Sequence, residues 1–219
     1  MTNPDVAAVI FDYGGVLTTS TGDAVRAWIE SDALSPDSFR RTLGRWLSQP
    51  ADAETPIHRL ERGEIASDAF NTLLAADLVR TDGTHVEAEG LLDRMFAGIQ
   101  LDEAMFDLVD DLRASGLRTG LLSNSWGNDY PHERLRASFD HLVISGDVGM
   151  RKPQPEIYEL ALRGLDVEPQ SVVFVDDVAL NIAAASSLGM RTIHHSSPVT
   201  TRALLAAMVP GLHQTGAGR

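Results

Sequence analysis

The stretch AVIFDYGGVLTTS, residues 8–20, runs an unbroken apolar segment into Asp12 and then into Gly14-Gly15. A short β-branched run closed by glycines reads as a buried strand, since a parallel strand covered on both faces does not alternate. Asp12 stands where that strand ends. Its residue type there fits a nucleophile, a metal ligand or plain turn punctuation.

Including this first run, AAVIF (7–11), five such segments recur: RTGLL (118–122), HLVIS (141–145), SVVFV (171–175) and RTIHH (191–195) are the others. Helical periodicity separates the later ones, in DEAMFDLVDDLRASG (102–116), in PQPEIYELALRGL (153–165), which is expected to end near Gly164, and in VALNIAAASSLG (178–189). Strand and helix in alternation predict an α/β domain with a doubly wound, parallel five-stranded sheet.

The first crossover is the exception. About a hundred residues lie between Phe11 and Arg118, far more than a crossover needs. That gap contains helical patterns at 23–33, 36–48, 67–79 and 85–99 and no convincing strand, with Ser35-Pro36 and Ser67 as expected helix starts. Residues 1–17 and 100–219 are therefore assigned to the core, and residues 18–99 to an inserted helical domain.

Composition narrows the partners. The 219 residues carry a formal net charge of −13 and no cysteine. An acidic surface repels nucleic acid and anionic membranes, so neither is an expected partner. Disulfides, thiolate metal sites and a cysteine nucleophile are excluded. MTNPDVAAVI lacks the basic start and long apolar run of a signal peptide, and no run reaches the ~18 residues of a membrane span. A cytoplasmic protein is expected, monomer or homodimer, with the small polar end HQTGAGR fraying.

In open α/β sheets, ligands bind beyond the carboxyl ends of the strands. The groups there are Asp12 after the first strand, Ser123, Asn124 and Ser125 after the second, and Asp147, Arg151 and Lys152 after the third. Asp176 and Asp177 follow the fourth, with Asn181 beyond them. Taken singly, each is ordinary cap or turn chemistry. Converging at one sheet end, three acids need a cation, and an all-oxygen donor set favours Mg²⁺. A carboxylate nucleophile, Mg²⁺ and a lysine are the equipment of phosphoryl transfer through an aspartyl-phosphate.

In this order the segments FDYGGVL, LLSNS, RKP and FVDDVALNI resemble the four motifs of the haloacid dehalogenase-like (HAD) hydrolase superfamily. The motifs span residues 10–182, and the insertion resembles the family's helical C1 cap. ERGEIASDAF and GMRKPQPEIY are similar to the branch that contains sugar-phosphate phosphatases. The resemblance implies a Rossmann-like core and a small phosphorylated substrate. It makes Asp12 the nucleophile, and gives the phosphoryl oxygens to Ser123 and the Asn124 amide. Lys152 would neutralise both nucleophile and transferring group. Asp12, the Gly14 carbonyl, Asp177 and neighbouring Asp176 would hold Mg²⁺, and Asn181 would support them.

Gly14 departs from the family pattern. Most phosphatases of this family carry an acid there, which protonates the leaving oxygen and then activates water. Glycine keeps the carbonyl and loses a general acid–base effect typically worth about 10²–10⁴-fold. His58, Arg59, Arg45 and Trp46 are the candidate substrate contacts from the cap, and Trp126 either lines the entrance or packs beneath it. His194 and His195 read as structural. Two other functions stay open: a metal-independent 2-haloacid dehalogenase, against which the Asp176-Asp177 pair argues, and a catalytically weak phospho-ligand-binding protein, for which Gly14 argues.

Overall fold

The computed structural model describes residues 5–127 and 130–213. All but the first residue of HQTGAGR, the end expected to fray, lies outside that range. In chain order the elements are β1 (Ala8–Phe11), α1 (Thr21–Ser31), α2 (Pro36–Leu47), α3 (Pro56–Glu61), α4 (Ser67–Asp77), α5 (Leu91–Phe96), α6 (Glu103–Ala114) and β2 (Arg118–Ser123). They continue with α7 (His132–Ser138), β3 (His141–Ile144), α8 (Ser145–Val148), α9 (Pro155–Leu165), β4 (Val172–Asp176), α10 (Ala179–Ser187), β5 (Arg191–His194) and α11 (Pro198–Ala206).

The strands form one five-stranded sheet in the order β3-β2-β1-β4-β5, with every pairing parallel. This is the doubly wound α/β architecture expected from the alternating pattern. The chain leaves β1 in one direction to build β2 and β3, then crosses back to add β4 and β5 on the other side. The topological switch point is therefore the crevice between β1 and β4, where such folds bind ligands. Register sharpens it: Phe11 lies opposite Val175, so the next residues along, Asp12 and Asp176, come side by side.

Apolar side chains cover both sheet faces. Val9, Phe11, Leu108, Leu112 and Val175 belong to one buried cluster, and Ile10, Leu122, Tyr158, Leu162 and Phe174 to another. A third cluster, including Trp28, Trp46, Phe70, Leu74 and Met95, lies within residues 28–95 and belongs to the insertion. The two chain passages between core and insertion run together, with Thr18 bridged to Leu101 and the Thr19 amide donating to the Gln100 carbonyl at 2.8 Å.

Local departures have local causes. The helix expected over 85–99 contracts to α5, because Gly90 takes a left-handed conformation (φ 61°) that a right-handed helix cannot pass through. Arg94 then holds the non-helical approach by donating to the Glu87 and Glu89 carbonyls. Ser35 caps α2 by accepting from the Ser38 amide, and α4 starts at Ser67 as expected, preceded by Ala66 without a side-chain cap. Helix α9 ends beside Gly164 as expected, at Leu165 with Asp166 left-handed, and the His141 ring occupies the space a side chain at 164 would need. Short α3, α7 and α8 had too few turns to show periodicity, and Ser145, expected at a strand end, opens α8.

Candidate active site

At the β1/β4 crevice, Asp12, Asp176 and Asp177 each offer a carboxylate oxygen within 4.8 Å of the others. Lys152 Nζ lies 2.8 Å from Asp12 Oδ1 and 2.7 Å from Asp176 Oδ2, with its side chain 1% exposed. The turn after Asp12 is shaped by this cluster. The Tyr13 amide donates to Asp12 Oδ1 at 2.7 Å, and Gly15 adopts φ 73° with the Asp177 carboxylate where a Cβ would go. Position 15 must be glycine on both counts. Gly14 is different, since a Cβ there meets only the Thr21 methyl, at 3.3 Å.

Three carboxylates against one ammonium leave this pocket with excess negative charge. Burial pushes the Asp12 carboxyl up to about 8, and Asp176 and Asp177 add to the rise against the pull of Lys152. Burial also raises Asp177, with Asp176 contributing. Burial alone would lower Lys152, but the two acids outweigh it and hold the ammonium above its ordinary range. Asp176 is already well supplied with donors: Lys152, the Val178 amide at 2.7 Å, and Asn181 Nδ2 at 3.2 and 3.1 Å to its two oxygens. A hard divalent cation fits what remains, an oxygen-only donor set with unbalanced charge.

The other expected groups are placed as follows. Ser123 ends β2, buried, its Oγ 3.0 Å from the Tyr130 hydroxyl. Asn124 binds the Lys152 backbone twice, donating to its carbonyl at 3.0 Å and accepting from its amide at 2.8 Å. Asp147 is exposed on α8. His194 Nε2 is 2.9 Å from the Asp177 carbonyl and His195 Nδ1 2.8 Å from Thr201 Oγ1, which leaves both with structural contacts.

The four cap candidates do not share one environment. Trp46 is buried in the insertion's own cluster, edge-on to Phe70, and Arg45 is paired with Asp77. Arg59 is half-exposed between Glu54 and Glu64, at 3.8 and 3.7 Å. His58 is buried, with Nδ1 3.3 Å from the Ala53 carbonyl, and burial followed by the nearby Arg151 charge pushes it down to about 4. Trp126 packs against Phe70 and Phe96, and its Nε1 donates to Glu61 Oε1 at 2.9 Å. Two groups were not anticipated from the sequence. Tyr130 is a lone aromatic in a loop and gave no signal. Glu61 lies inside ERGEI, a phrase noticed only for its resemblance.

The haloacid dehalogenase-like hydrolase family model matches residues 6–189. The chain belongs to this family. It is 29% identical over 208 residues to acyl-CoA dehydrogenase family member 10 of Mus musculus, covering 92% of this chain but 19% of that protein. The chain thus spans about a fifth of that relative's length. It is also 29% identical over 195 residues to the D-ribitol-5-phosphate phosphatase of Bacteroides thetaiotaomicron, covering 84% of this chain and 89% of that one. A HAD family enzyme of Bacteroides thetaiotaomicron, solved with magnesium and inorganic phosphate, shares the fold at a TM-score of 0.63 and 19% identity, over 87% of this chain and 94% of that one.

Two outcomes follow from this geometry. Gly15→Ala strains the left-handed turn by roughly 1–3 kcal/mol and displaces Asp177, so thermal unfolding shows a Tm several degrees lower; Gly14→Ala shows little change. His58 is the second case. Its folded pKa lies below the ordinary value of 6.5, so its contribution is present above that pH and is lost as pH falls towards about 4. His58→Asn flattens that part of the pH–stability curve in urea titrations between pH 7 and 4.

Proposed function

We propose that this chain is a Mg²⁺-dependent phosphatase acting on a small phosphorylated metabolite, with sugar phosphates as the class to test first. One observation carries the reading: three carboxylates lie within 4.8 Å of one another at the switch point of the sheet, and a buried lysine is bonded to the first of them. The D-ribitol-5-phosphate phosphatase supports it as a relative of similar length.

Asp12 Oδ2 would attack phosphorus while the bond to the leaving oxygen breaks, giving an aspartyl-phosphate and an alcohol. Lys152 pulls the attacking carboxyl towards its ionised form, against the effect of burial, and opposes the charge of the transferring group. Ser123 Oγ, held by Tyr130, and the Asn124 amide would bind phosphoryl oxygens. Asp12, the Gly14 carbonyl and Asp177 would hold Mg²⁺, with Asp176 beside them fixed by Lys152 and Asn181. The metal would supply charge neutralisation for an anionic substrate in an acidic pocket. Water then attacks phosphorus, the bond to Asp12 breaks, and inorganic phosphate departs. With no side chain at Gly14, the proton for the leaving oxygen would come from water, the substrate or a residue of the insertion. Residues 18–99 would serve as the cap over core segments 1–17 and 100–219, excluding bulk water and selecting substrate.

The same missing side chain favours a second reading, a phospho-ligand-binding protein with weak turnover. Phosphate release from a panel of sugar phosphates with Mg²⁺ separates the two. The phosphatase reading expects turnover that chelation abolishes and that Asp12→Asn lowers on the order of 10³-fold or more. Equal activity of wild type and Asp12→Asn would sink it. Because only the Thr21 methyl stands close to residue 14, Gly14→Asp is expected to fold. It raises turnover by about 10²-fold or more if proton transfer limits the reaction, and changes little if one of these proton sources suffices.

A further inference from the structure

Glu61, the last residue of α3, is 4% exposed although it carries a charge. Its carboxylate accepts from Arg151 Nε and, through the other oxygen, from Trp126 Nε1 at 2.9 Å. Its carbonyl accepts from Ser145 Oγ, and the same hydroxyl accepts from the Ser125 amide at 2.7 Å. Two residues further on, Gly63 has φ 71° and presses on Gly146 so closely that a Cβ would collide with the Gly146 carbonyl. One turn of the insertion is thus seated on the loops that follow β2 and β3.

Both loops lead directly to the reacting groups. Arg151 is covalently joined to Lys152, whose amide is fixed by Asn124 and whose Nζ meets Asp12. Ser125 is the residue after Asn124 and two beyond Ser123. We propose that Glu61 is a positioning residue: from the insertion it sets the Arg151–Lys152 segment and the Ser123–Ser125 loop in working register. The site is then complete only when the α3 turn is seated. This inference rests on the phosphatase reading for its catalytic consequence.

The choice of residues favours positioning over simple cohesion. A buried ion pair is seldom more stable than apolar groups of the same volume, yet it is directional. Glu61 fixes Arg151 Nε, Trp126 Nε1 and Ser145 Oγ from three sides, so it defines where each loop lies as well as that they touch.

The test uses the full chain with Mg²⁺ and p-nitrophenyl phosphate. Glu61→Gln leaves a buried guanidinium without its counter-charge, so it is paired with a double variant, Glu61→Met with Arg151→Met, which keeps volume and removes both charges. Ser145→Ala cuts only the link from the carbonyl. Positioning predicts that the double variant keeps its Tm within a few degrees while kcat falls about 10–100-fold with KM nearly constant. Amide exchange at 121–127 and 150–152 should accelerate in the double variant, and at 121–127 in Ser145→Ala. Wild-type kcat in the double variant, or unchanged exchange in both loops, overturns the proposal. If wild-type protein releases no phosphate from any substrate, the phosphatase reading fails separately, and the exchange comparison alone decides whether Glu61 holds the loops.

Discussion

Lys152 Nζ sits between Asp12 and Asp176, in contact with both and sealed from water. The remainder of the site is arranged around this contact. A buried ammonium is tolerable only when compensated, and removing one partner of such a pair typically costs about 3–5 kcal/mol. Two carboxylates supply the compensation here, and a third, on Asp177, carries the total past neutrality. Asn124 anchors the Lys152 backbone and Asn181 orients Asp176.

The sheet makes that contact achievable. Parallel pairing of β1 with β4 places Asp12 level with Asp176, and chain reversal at this point opens the crevice above them. Gly15 lets the chain turn away without striking Asp177. Lys152 arrives from the opposite side, beyond β3, and its backbone is clamped by Asn124 at the end of β2. Four strand ends thus contribute to one small volume. None of the groups would be unusual alone; burial at one point makes their charges interact strongly.

Much of this was legible beforehand, for a physical reason. Strands covered on both faces must be apolar throughout, so their ends are marked by the first polar residue, as at Asp12 and Asp176. Long amphipathic helices such as α2, α6 and α9 reveal themselves by periodicity. Elements of one or two turns, such as α3, α7 and α8, do not, because their length is below the period needed to see a face. Gly164 marked the end of α9 within one residue, and the space it leaves is also what His141 fills. Glu61 was invisible as a site neighbour because its partners are distant along the chain, and Tyr130, though seven residues from Ser123, sits in a loop with no pattern to mark it.

From the sequence alone came the parallel α/β core, the long helical insertion, and the set of strand-end residues that includes Asp12, Ser123, Lys152, Asp176 and Asp177. These are properties of local pattern and order, and the chain carries them explicitly. Tertiary structure alone decided which residues of the insertion face the core and which are spent elsewhere. Trp46 went to the insertion's own apolar cluster and Arg45 to Asp77, while Glu61 was turned inward onto Arg151. The direction of a charged side chain depends on which opposite charge folding brings beside it, and Glu61 and Arg151 are brought together only when the insertion is packed on the core.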